Sequence, residues 1–339
     1  MEYESGLVSA VTPVYNGGDY LAGFLDSLLA QSYPNIQLIL SDDGSKDGTL
    51  RVAESYREKF AARGYEYRIV IGPHQNASAA INRGLPFVRG EFLIWPDSDD
   101  VLEPESVRRR VDFFREHPEY QAVRTLSYYF DWATGQRSRE RDERVGDLSR
   151  EELFWDILEW RTYVCCGCYM LRAPAFFTIY PGRRIPEYGV GQNFQMLLPM
   201  LFRHKCATIP EELYGVALRP GSHSRTPLTQ AQEERKFAIY EDLADEIAAL
   251  CPLADEASRN RLACWKLERR YWLAQKYGKR KEALRVLWEL HRRGSLHIYE
   301  LFQRVIWMIL TGTRLGRPVY ALYRRVRDRL ARRSPSASR

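Results

Sequence analysis

Three carboxylates lie within four residues of one predicted loop, at Asp97, Asp99 and Asp100. Carboxylates this close repel one another unless a cation or a basic partner neutralises them. Their hard oxygen atoms suit Mn²⁺ or Mg²⁺, which also bind phosphates, and the alternating pair Asp97 and Asp99 can reach one ion from a single turn. Capping of the helix after Pro104 can occupy one acid but not three. The cluster therefore predicts a metal–diphosphate site with Asp97 and Asp99 as metal ligands.

A second acidic loop runs from Ser41 to Thr49 and begins at another predicted strand end. Capping of the following helix accounts for Ser45 and Asp47. Capping does not require Asp42 or Asp43, so these two carboxylates need another explanation. Two acid-rich loops are therefore expected to leave the same edge of one sheet.

The elements that position these loops alternate between strand and helix over the first hundred residues. Strands separated by amphipathic helices indicate an α/β fold, in which helices cover both faces of a parallel sheet. Ligands of such sheets bind beyond the carboxyl ends of the strands, where the acidic loops lie. The predicted strands are Leu7–Thr12, Ile36–Leu40, Tyr67–Ile71 and Glu91–Trp95, and the predicted helices are Asp19–Gln31, Gly48–Arg63 and Ser78–Leu85.

Four short motifs follow one another in a fixed order. They are Thr12–Asn16, Asp42–Thr49, Ala79–Gly84, and Gly90–Phe92 leading to Asp97–Asp100. Each is weak alone, but the ordered set resembles the large family 2 of inverting glycosyltransferases, closely over residues 6–105 and more loosely to about 226. The resemblance implies a GT-A-type nucleotide-binding sheet. It also implies inverting transfer of a sugar from a nucleotide sugar, a UDP-sugar, to a hydroxyl of a glycan or lipid-linked acceptor.

The resemblance assigns roles to individual residues. Pro13 and Tyr15 would line the pocket for the nucleotide base, and Asp43 would accept a hydrogen bond from the base. Asp97 would contact the ribose or the metal, and Asp99 would hold the metal that binds the diphosphate. The donor-binding residues that it implies are Pro13, Tyr15, Asn16, Asp43, Asn82, Arg83, Asp97, Ser98 and His223.

The second half departs from the family pattern at Gly191-Gln192-Asn193. Many relatives carry an acid pair here, and one of those acids serves as general base, whereas an amide cannot take a proton at neutral pH. The Gly-Gln-Asn form resembles a branch of bacterial enzymes that build glycans, so Gln192 and Asn193 are expected to hold the acceptor or the donor sugar. Glu187 and Asp100 remain the two candidates for the base, and Glu187 can equally be an exposed loop acid.

Three parts of the chain are predicted. Residues 1–105 form the nucleotide-sugar-binding half, residues 106–226 the acceptor-binding half, and residues 227–339 a helical, basic C-terminal extension. With 45% apolar and 28% charged residues, the composition is that of a globular protein with a real core. The six cysteines show no disulfide framework, which indicates a reducing, cytoplasmic setting. We see no signal peptide and no membrane span.

Two alternative functions fit the same pattern. The amides of Gln192 and Asn193 would suit a catalytically weak sugar-nucleotide-binding protein of this fold. A nucleotidyltransferase also uses paired carboxylates, but it typically has a basic, glycine-rich loop after the first strand, and residues 13–19 contain no cation. A dinucleotide-binding oxidoreductase is excluded because no Gly-x-Gly-x-x-Gly follows that strand.

The C-terminal segment is basic and amphipathic. Residues 314–339 contain nine arginines and one acid. We expect Leu301, Val305, Ile306, Met308 and Ile309 to form an apolar surface there, and the arginines to bind the anionic inner face of a membrane reversibly. The alternative is that the apolar residues pack on the protein itself. Nucleic-acid binding is not expected, because the segment lacks interleaved stacking aromatics.

Overall fold

The computed structural model describes residues 2–139, 146–190, 192–219, 228–253 and 255–311, with the side chains of 309–311 left aside. The chain forms two compact units. Residues 1–227 and 242–251 belong to the first unit, and residues 228–241 and 252–339 belong to the second. Every predicted site residue that the structure describes lies in the first unit.

One mixed sheet organises the first unit. Its strands within the described residues are β1 (Glu4–Val14), β2 (Ile36–Asp42), β3 (Glu66–Ile71), β4 (Gly90–Ile94), β5 (Val101–Leu102), β6 (Ala122–Asp131), β7 (Tyr169–Arg172) and β8 (Cys206–Leu218), in the order β3-β2-β1-β4-β7-β6-β8-β5. The first four in this order are parallel, β7 is antiparallel to both neighbours, and β6 and β8 are parallel. The α/β fold with a parallel N-terminal sheet is confirmed.

Helices cover this sheet. Those described in the first unit are α1 (Leu21–Leu29), α2 (Thr49–Ser55), α3 (Arg57–Arg63), α4 (Ala77–Gly84), α5 (Ser106–Glu116), α6 (Phe154–Leu158), α7 (Ala173–Ile179) and α8 (Gln192–Arg203). Residues Leu21, Phe24, Leu25 and Leu28 bury the apolar face of α1, as their spacing predicts. β2 is buried along its whole length, which is the mark of a strand covered on both faces.

Close packing explains one glycine of the N-terminal half. A Cβ atom at Gly90 would lie 2.4 Å from the Leu7 carbonyl oxygen, so only glycine allows β4 to start beside β1 at this spacing. That spacing sets the register in which Val8 pairs with Phe92 and Ala10 with Ile94. The loop after β4 therefore leaves the sheet beside the loop after β1.

The described part of residues 106–219, for which no strands were predicted, continues the same sheet. β6 and β8 pair in parallel from Ala122↔Cys206 to Asp131↔Leu218, with two shifts of register. These shifts break the alternation of apolar and polar residues on which sequence-based detection of strands depends. β6 and β8 were missed for that reason, and β7 is only four residues long.

The second unit is helical in its described part. It contains α10 (Glu256–Lys276), α11 (Arg280–Arg292), α12 (Ile298–Thr311) and the first part of α9 (Gln230–Leu250), whose residues from Asp242 onward belong to the first unit. Its core includes Ala283, Leu287 and Leu290 of α11. The prediction of C-terminal helices is confirmed.

The apolar surface predicted on α12 is wrong in three of its five residues. Leu301 and Met308 are buried in the core of the second unit, and Val305 packs against that core. The reason is that α12 is apolar on two faces, and the sequence pattern does not show which one turns inward. Ile306 is 53% exposed, together with Tyr299 and Phe302. The side chain of Ile309 and residues 314–339 lie outside the described residues.

The sequence also led to predictions about the cysteines and about the lengths of the helices. All six cysteines carry free thiols. Within the part of the chain that the structure describes, no helix combines the length and the apolar character that a bilayer span requires.

Candidate functional site

The loops after β1 and β2 are joined by Asn16. Its backbone N–H donates to Ser45 Oγ at 2.9 Å, and its Oδ1 accepts the Lys46 N–H at 2.9 Å. A positive φ of 47° at Asn16 makes both bonds possible, and asparagine tolerates this left-handed conformation better than most residues. Asn16, predicted to bind the donor, therefore connects the two loops through its backbone N–H and its side-chain oxygen.

Asp42 caps the turn that follows β2. Its Oδ2 accepts the N–H groups of Gly44 at 3.1 Å and Ser45 at 3.0 Å. Helix capping does not involve Asp42, as expected, and the role left open for it is that a buried carboxylate at a strand end binds the N–H groups of its own loop. Asp47 does the same further on, accepting N–H groups from Gly18 and Thr49. The prediction that Ser45 caps the helix is wrong, because its hydroxyl accepts the Asn16 N–H.

Asp43 lies in a pocket of donors at the same edge. Its carboxylate accepts the Gln75 N–H at 3.1 Å, lies 2.9 Å from His74 Nδ1, and forms an ion pair with Arg83. The Tyr15 ring stacks on the His74 ring at a centroid distance of 3.8 Å. The structure thus brings together Tyr15, Asp43 and Arg83, all predicted to bind the donor.

His74 is a member of this cluster that the sequence reasoning missed. It stands three residues after β3, at the carboxyl edge where ligands of parallel sheets bind, and that position was the available signal. Pro13 lies in the last part of β1, opposite Ser41, beyond the last pairing of β1 with β4 at Ala10. A proline is tolerated there because β1 is no longer paired on both sides.

Asn82 holds a distant segment against α4. Its Nδ2 donates to the Ile185 carbonyl at 2.9 Å and to Glu187 Oε1 at 3.0 Å, while its Oδ1 accepts the Ile185 N–H at 2.8 Å. The buried Asn82 amide thus positions Glu187, which also pairs with Arg184. The Glu187 side chain stays 35% exposed.

The acidic loop after β4 is anchored by strand β8 and helix α8. The Tyr214 hydroxyl accepts the Asp97 N–H at 3.1 Å, and Asp100 Oδ1 accepts the Ala217 N–H at 2.9 Å. Trp95 Nε1 donates to Asn193 Oδ1 at 3.0 Å. Asn193, predicted to hold a sugar, therefore positions the start of the loop with its amide oxygen.

Asn193 also donates from Nδ2 to the Val164 carbonyl at 3.1 Å, so both ends of its amide are engaged. Gln192 is the first residue of α8 and is partly exposed. Ser98 is buried within the acidic loop. Gly191, and residues 220–227 with the predicted donor residue His223, lie outside the described residues.

The three acids of this loop differ in environment. Burial, followed by the negative charge of Asp99, raises the pKa of Asp97 to about 6, against the opposing effects of the Cys166 thiol and Arg219. Burial and the charges of Asp97 and Asp99 raise the pKa of Asp100 well above its usual value. Asp100 is only 5% exposed. Burial and mutual repulsion thus both disfavour the charged forms of these acids, and a cation bound at the loop would oppose both effects.

Arg219 is the basic partner that the loop does have. Its Nε donates to Asp99 Oδ2 at 2.7 Å, and its guanidinium carbon lies 4.3 Å from the centroid of the Tyr20 ring. The sequence reasoning missed this pair because 120 residues separate its members. Arg219 follows β8 directly, so the pairing depends on the register of that strand.

A divalent cation fits this donor set if protein carboxylates and nucleotide phosphates both serve as its ligands. Among the described residues, no group of three histidine, cysteine, aspartate or glutamate side chains could hold a metal alone. Mg²⁺ sites that bind nucleotides usually use one or two carboxylates, with phosphates and waters completing the shell. Asp97 and Asp99 supply two such carboxylates, so both predicted ligands suit such a site.

Comparison with known proteins identifies the family. Residues 9–177 match the family described as glycosyl transferase family 2. The chain belongs to this family. EpsE of Bacillus subtilis, named as a glycosyltransferase, is 32% identical over 175 residues, which make up 51% of this chain and 58% of EpsE. The chain thus spans little more than half of EpsE, and about a third of the next relatives.

Solved structures confirm the fold as GT-A. S. aureus TarS, residues 1–349 in complex with UDP-GlcNAc, aligns with a TM-score of 0.60 at 17% identity, covering 85% of this chain and 81% of that one. The mannosyltransferase PcManGT of Pyrobaculum calidifontis, in complex with GDP-Man and Mn²⁺, aligns with a TM-score of 0.54 at 13% identity, covering 92% and 82%. At these identities the likeness concerns the fold alone.

Proposed function

We propose that this protein transfers a sugar from a UDP-sugar to an acceptor hydroxyl with inversion at the anomeric carbon, in the assembly of a cell-surface polysaccharide or glycolipid. The observation that carries the proposal is the position of three acids at the carboxyl edge of the parallel strands: Asp43 follows β2, and Asp97 and Asp99 follow β4. Family membership supports glycosyl transfer, and TarS, crystallised with UDP-GlcNAc, supports the donor class.

The donor base would bind at the Tyr15–Asp43 end of the site. The Tyr15 ring offers a stacking surface, and the Asp43 carboxylate, held in place by Arg83, offers an acceptor for an N–H of the base. Since His74 covers one face of the Tyr15 ring, the base would use the remaining surface of this pocket. Pro13 and Asn16 would shape the pocket through the backbone of the first loop.

The diphosphate would lie at the acidic loop. Asp97 and Asp99 would hold Mn²⁺ or Mg²⁺ between the loop and the phosphates; PcManGT was crystallised with Mn²⁺. The cation supplies positive charge that stabilises the nucleoside diphosphate as a leaving group. Tyr214 binds the backbone of the loop and Asn193 binds the Trp95 side chain at its start, so both would hold the loop before the donor arrives and little reorganisation would be needed during the reaction.

Glu187 is the better of the two candidates for the general base. Its side chain is 35% exposed and both its bonds, from Asn82 and Arg184, fall on Oε1; among the described residues Oε2 accepts none. Asp100 is buried and its carboxylate is bonded to the backbone of β8. Glu187 would therefore take the proton from the acceptor hydroxyl as that oxygen attacks the anomeric carbon. Gln192 would bind a hydroxyl of the acceptor sugar or of the donor sugar.

Contact with an anionic membrane is proposed for the second unit. On α11, Lys281, Leu284, Arg285, Trp288 and Arg292 recur at helical spacing and are all exposed. On α12, Tyr299, Phe302 and Ile306 form a second exposed apolar stripe. Apolar side chains flanked by cations are the chemistry that binds the inner face of a membrane, where lipid-linked acceptors reside.

The function is tested by thermal shift and by product analysis. UDP-sugars with Mn²⁺ are expected to raise the melting temperature, since a ligand at a hundred times its Kd adds about 2.7 kcal/mol of stability. Transfer is then followed with the stabilising donor, and NMR of the anomeric proton reports inversion or retention. Binding without transfer or hydrolysis would favour a catalytically weak sugar-nucleotide-binding protein. Binding of nucleoside triphosphates alone would favour a nucleotidyltransferase.

A further inference from the structure

Arg219 occupies the carboxylate oxygen that a metal ion would use. Its Nε lies 2.7 Å from Asp99 Oδ2, and both side chains are largely buried, at 18% and 23% exposure. A guanidinium and a divalent cation cannot both neutralise one carboxylate at contact distance without repelling each other. Arg219 in this position therefore competes with a metal ion for Asp99.

The surroundings of Arg219 link the acidic loop to the nucleotide loop. Its guanidinium lies over the Tyr20 ring, and the Tyr20 hydroxyl donates to the Tyr15 carbonyl at 3.2 Å. Tyr15 is in turn the proposed stacking surface for the base. The arginine thus lies between the carboxylate proposed for the metal and the loop proposed for the nucleoside, which is where a diphosphate joining the two would pass.

The backbone below Arg219 is fixed, while its side chain has alternatives. The neighbouring Leu218 carbonyl accepts the Trp132 N–H at 3.2 Å, and the Ala217 N–H is bonded to Asp100. From this anchored position a long side chain can exchange one anion for another by rotation alone. The planar guanidinium binds phosphate and carboxylate oxygens with the same fork geometry, so either anion can be its partner.

We propose that Arg219 exchanges its partner between Asp99 and the diphosphate of the nucleotide. Without nucleotide it neutralises Asp99 and keeps metal affinity low; when the nucleotide brings its diphosphate, Arg219 moves to a phosphate oxygen and Asp99 becomes a metal ligand. This inference rests on the proposed function of the same site. It adds that metal and nucleotide bind cooperatively, because the metal releases Arg219 from Asp99 and the diphosphate releases Asp99 from Arg219.

The test measures Mn²⁺ binding, by the electron paramagnetic resonance signal of free Mn²⁺, to the full chain with and without UDP. Arg219→Gln is expected to bind Mn²⁺ without UDP about tenfold more tightly than wild type, since a competing charge is gone. With saturating Mn²⁺, the same variant is expected to bind UDP about tenfold more weakly, since a charged hydrogen bond is lost. The cooperativity between Mn²⁺ and UDP should shrink accordingly.

Arg109→Gln is the matched control. It makes the same change of side chain and charge, but its partner is Glu211, outside the acidic loop. It should leave both affinities unchanged. Arg219→Lys keeps the charge and is expected to fall between wild type and Arg219→Gln, and circular dichroism spectra of all variants establish that they are folded.

A double-mutant cycle separates exchange from simple charge effects. In chelator, Asp99→Asn should bind UDP more tightly than wild type, because the arginine is released to the phosphates. In the Arg219→Gln background, the same substitution should have a smaller effect. Equal effects in both backgrounds, or an unchanged Mn²⁺ affinity in Arg219→Gln, would overturn the exchange. Failure of wild type to bind UDP at all would instead overturn the proposed function.

Discussion

The hydroxyl of Tyr214 accepts the backbone N–H of Asp97 at 3.1 Å, so a strand of the second half of the sheet holds the loop proposed to bind metal. Tyr214 is fully buried, and its ring lies against Gly167 so closely that a Cβ there would be 1.9 Å from Tyr214 Cε2. The geometry of the acidic loop therefore depends on Tyr214 and Gly167, which lie outside that loop.

Removing the hydroxyl in Tyr214→Phe leaves the Asp97 N–H without this partner. We expect a loss of about 1–2 kcal/mol in the free energy of unfolding, measured with urea, and weaker binding of UDP with Mn²⁺. Tyr163→Phe is the control, because it removes a buried hydroxyl that is bonded to the Thr125 carbonyl and not to the acidic loop. It should cost similar stability without weakening UDP binding; equal effects of the two variants on UDP binding would contradict the assigned role of Tyr214.

Gly167→Ala places a methyl group where the Tyr214 ring lies. Overpacking of this kind typically costs about 1–3 kcal/mol, and we expect a lowered melting temperature together with weaker Mn²⁺-dependent UDP binding. Gly182→Ala adds the same methyl group where no atom lies within 4 Å, and should change neither quantity. A stable Gly167→Ala protein with normal UDP affinity would show that the ring can move without disturbing the loop.

The raised pKa of Asp97 gives the metal-free protein a defined pH dependence. The pKa rises from 3.8 in the unfolded chain to about 6 in the folded protein, mainly through burial, so the folded state holds more protons between these values. Stability in chelator should therefore fall as pH rises through this window. Asp97→Asn, followed by urea unfolding at a series of pH values, should flatten this fall. A slope identical to that of wild type would assign it to another group.

Asp99→Asn removes one proposed metal ligand. We expect the transfer rate with saturating Mn²⁺ to fall by about a hundredfold or more, the usual effect of losing a group that stabilises developing charge. Asp112→Asn removes an exposed carboxylate that pairs with Arg115, and serves as the control. Full activity of Asp99→Asn in excess chelator would refute a metal role for this residue.

Glu187→Gln tests the general base with little structural change, since a glutamine Oε1 can still accept from Asn82 and Arg184. We expect kcat to fall by about a hundredfold to ten-thousandfold, and the acidic limb of the pH–rate profile to disappear. The result would count against Glu187 if the profile stayed that of wild type. Asp100→Asn would then be the next variant to measure, and its loss of activity would be compared with its loss of stability.

Membrane contact is tested on the exposed face of α11. Replacing Leu284 and Trp288 with serine should reduce co-sedimentation with anionic vesicles severalfold, and deletion of residues 314–339 should reduce it further, at about 1 kcal/mol for each basic residue near the surface. Trp132→Ser, a partly exposed tryptophan of the first unit, is the control. Binding that ignores lipid charge and salt would contradict the proposal.

The sequence predicted the sheet edge but not the pairings across it. Asp43, Asp97 and Asp99 could be placed together because parallel strands end at one edge, a rule that needs no side-chain detail. The partners of these acids lie far along the chain, as Arg219 does from Asp99, so no local pattern reveals them. Asn82 shows the same limit: its place in a motif was clear, but its bonds to Ile185 and Glu187 join segments about a hundred residues apart.

Burial was also hard to read where a helix has two apolar faces. On α12 both Leu301 and Phe302 are large and apolar, yet the first is buried and the second exposed. Periodicity gives the relative direction of side chains around a helix, whereas the neighbouring helices decide which direction faces the core. Asp42 shows a related limit, because the N–H groups that its carboxylate binds depend on where its own loop turns.

Strand β8 and the residue that follows it meet the acidic loop at three positions. Tyr214, Ala217 and Arg219 bind the Asp97 N–H, the Asp100 carboxylate and the Asp99 carboxylate, while Gly215 pairs with Val101. The two segments, about 120 residues apart, therefore depend on each other and should be exchanged together in engineered variants. Chimaeras that import residues 95–102 from another family member should be built with that member's residues 213–219 as well, since a slip of one residue in the strand would turn the Tyr214 side chain to the opposite face of the sheet and offer Asp100 a different backbone N–H.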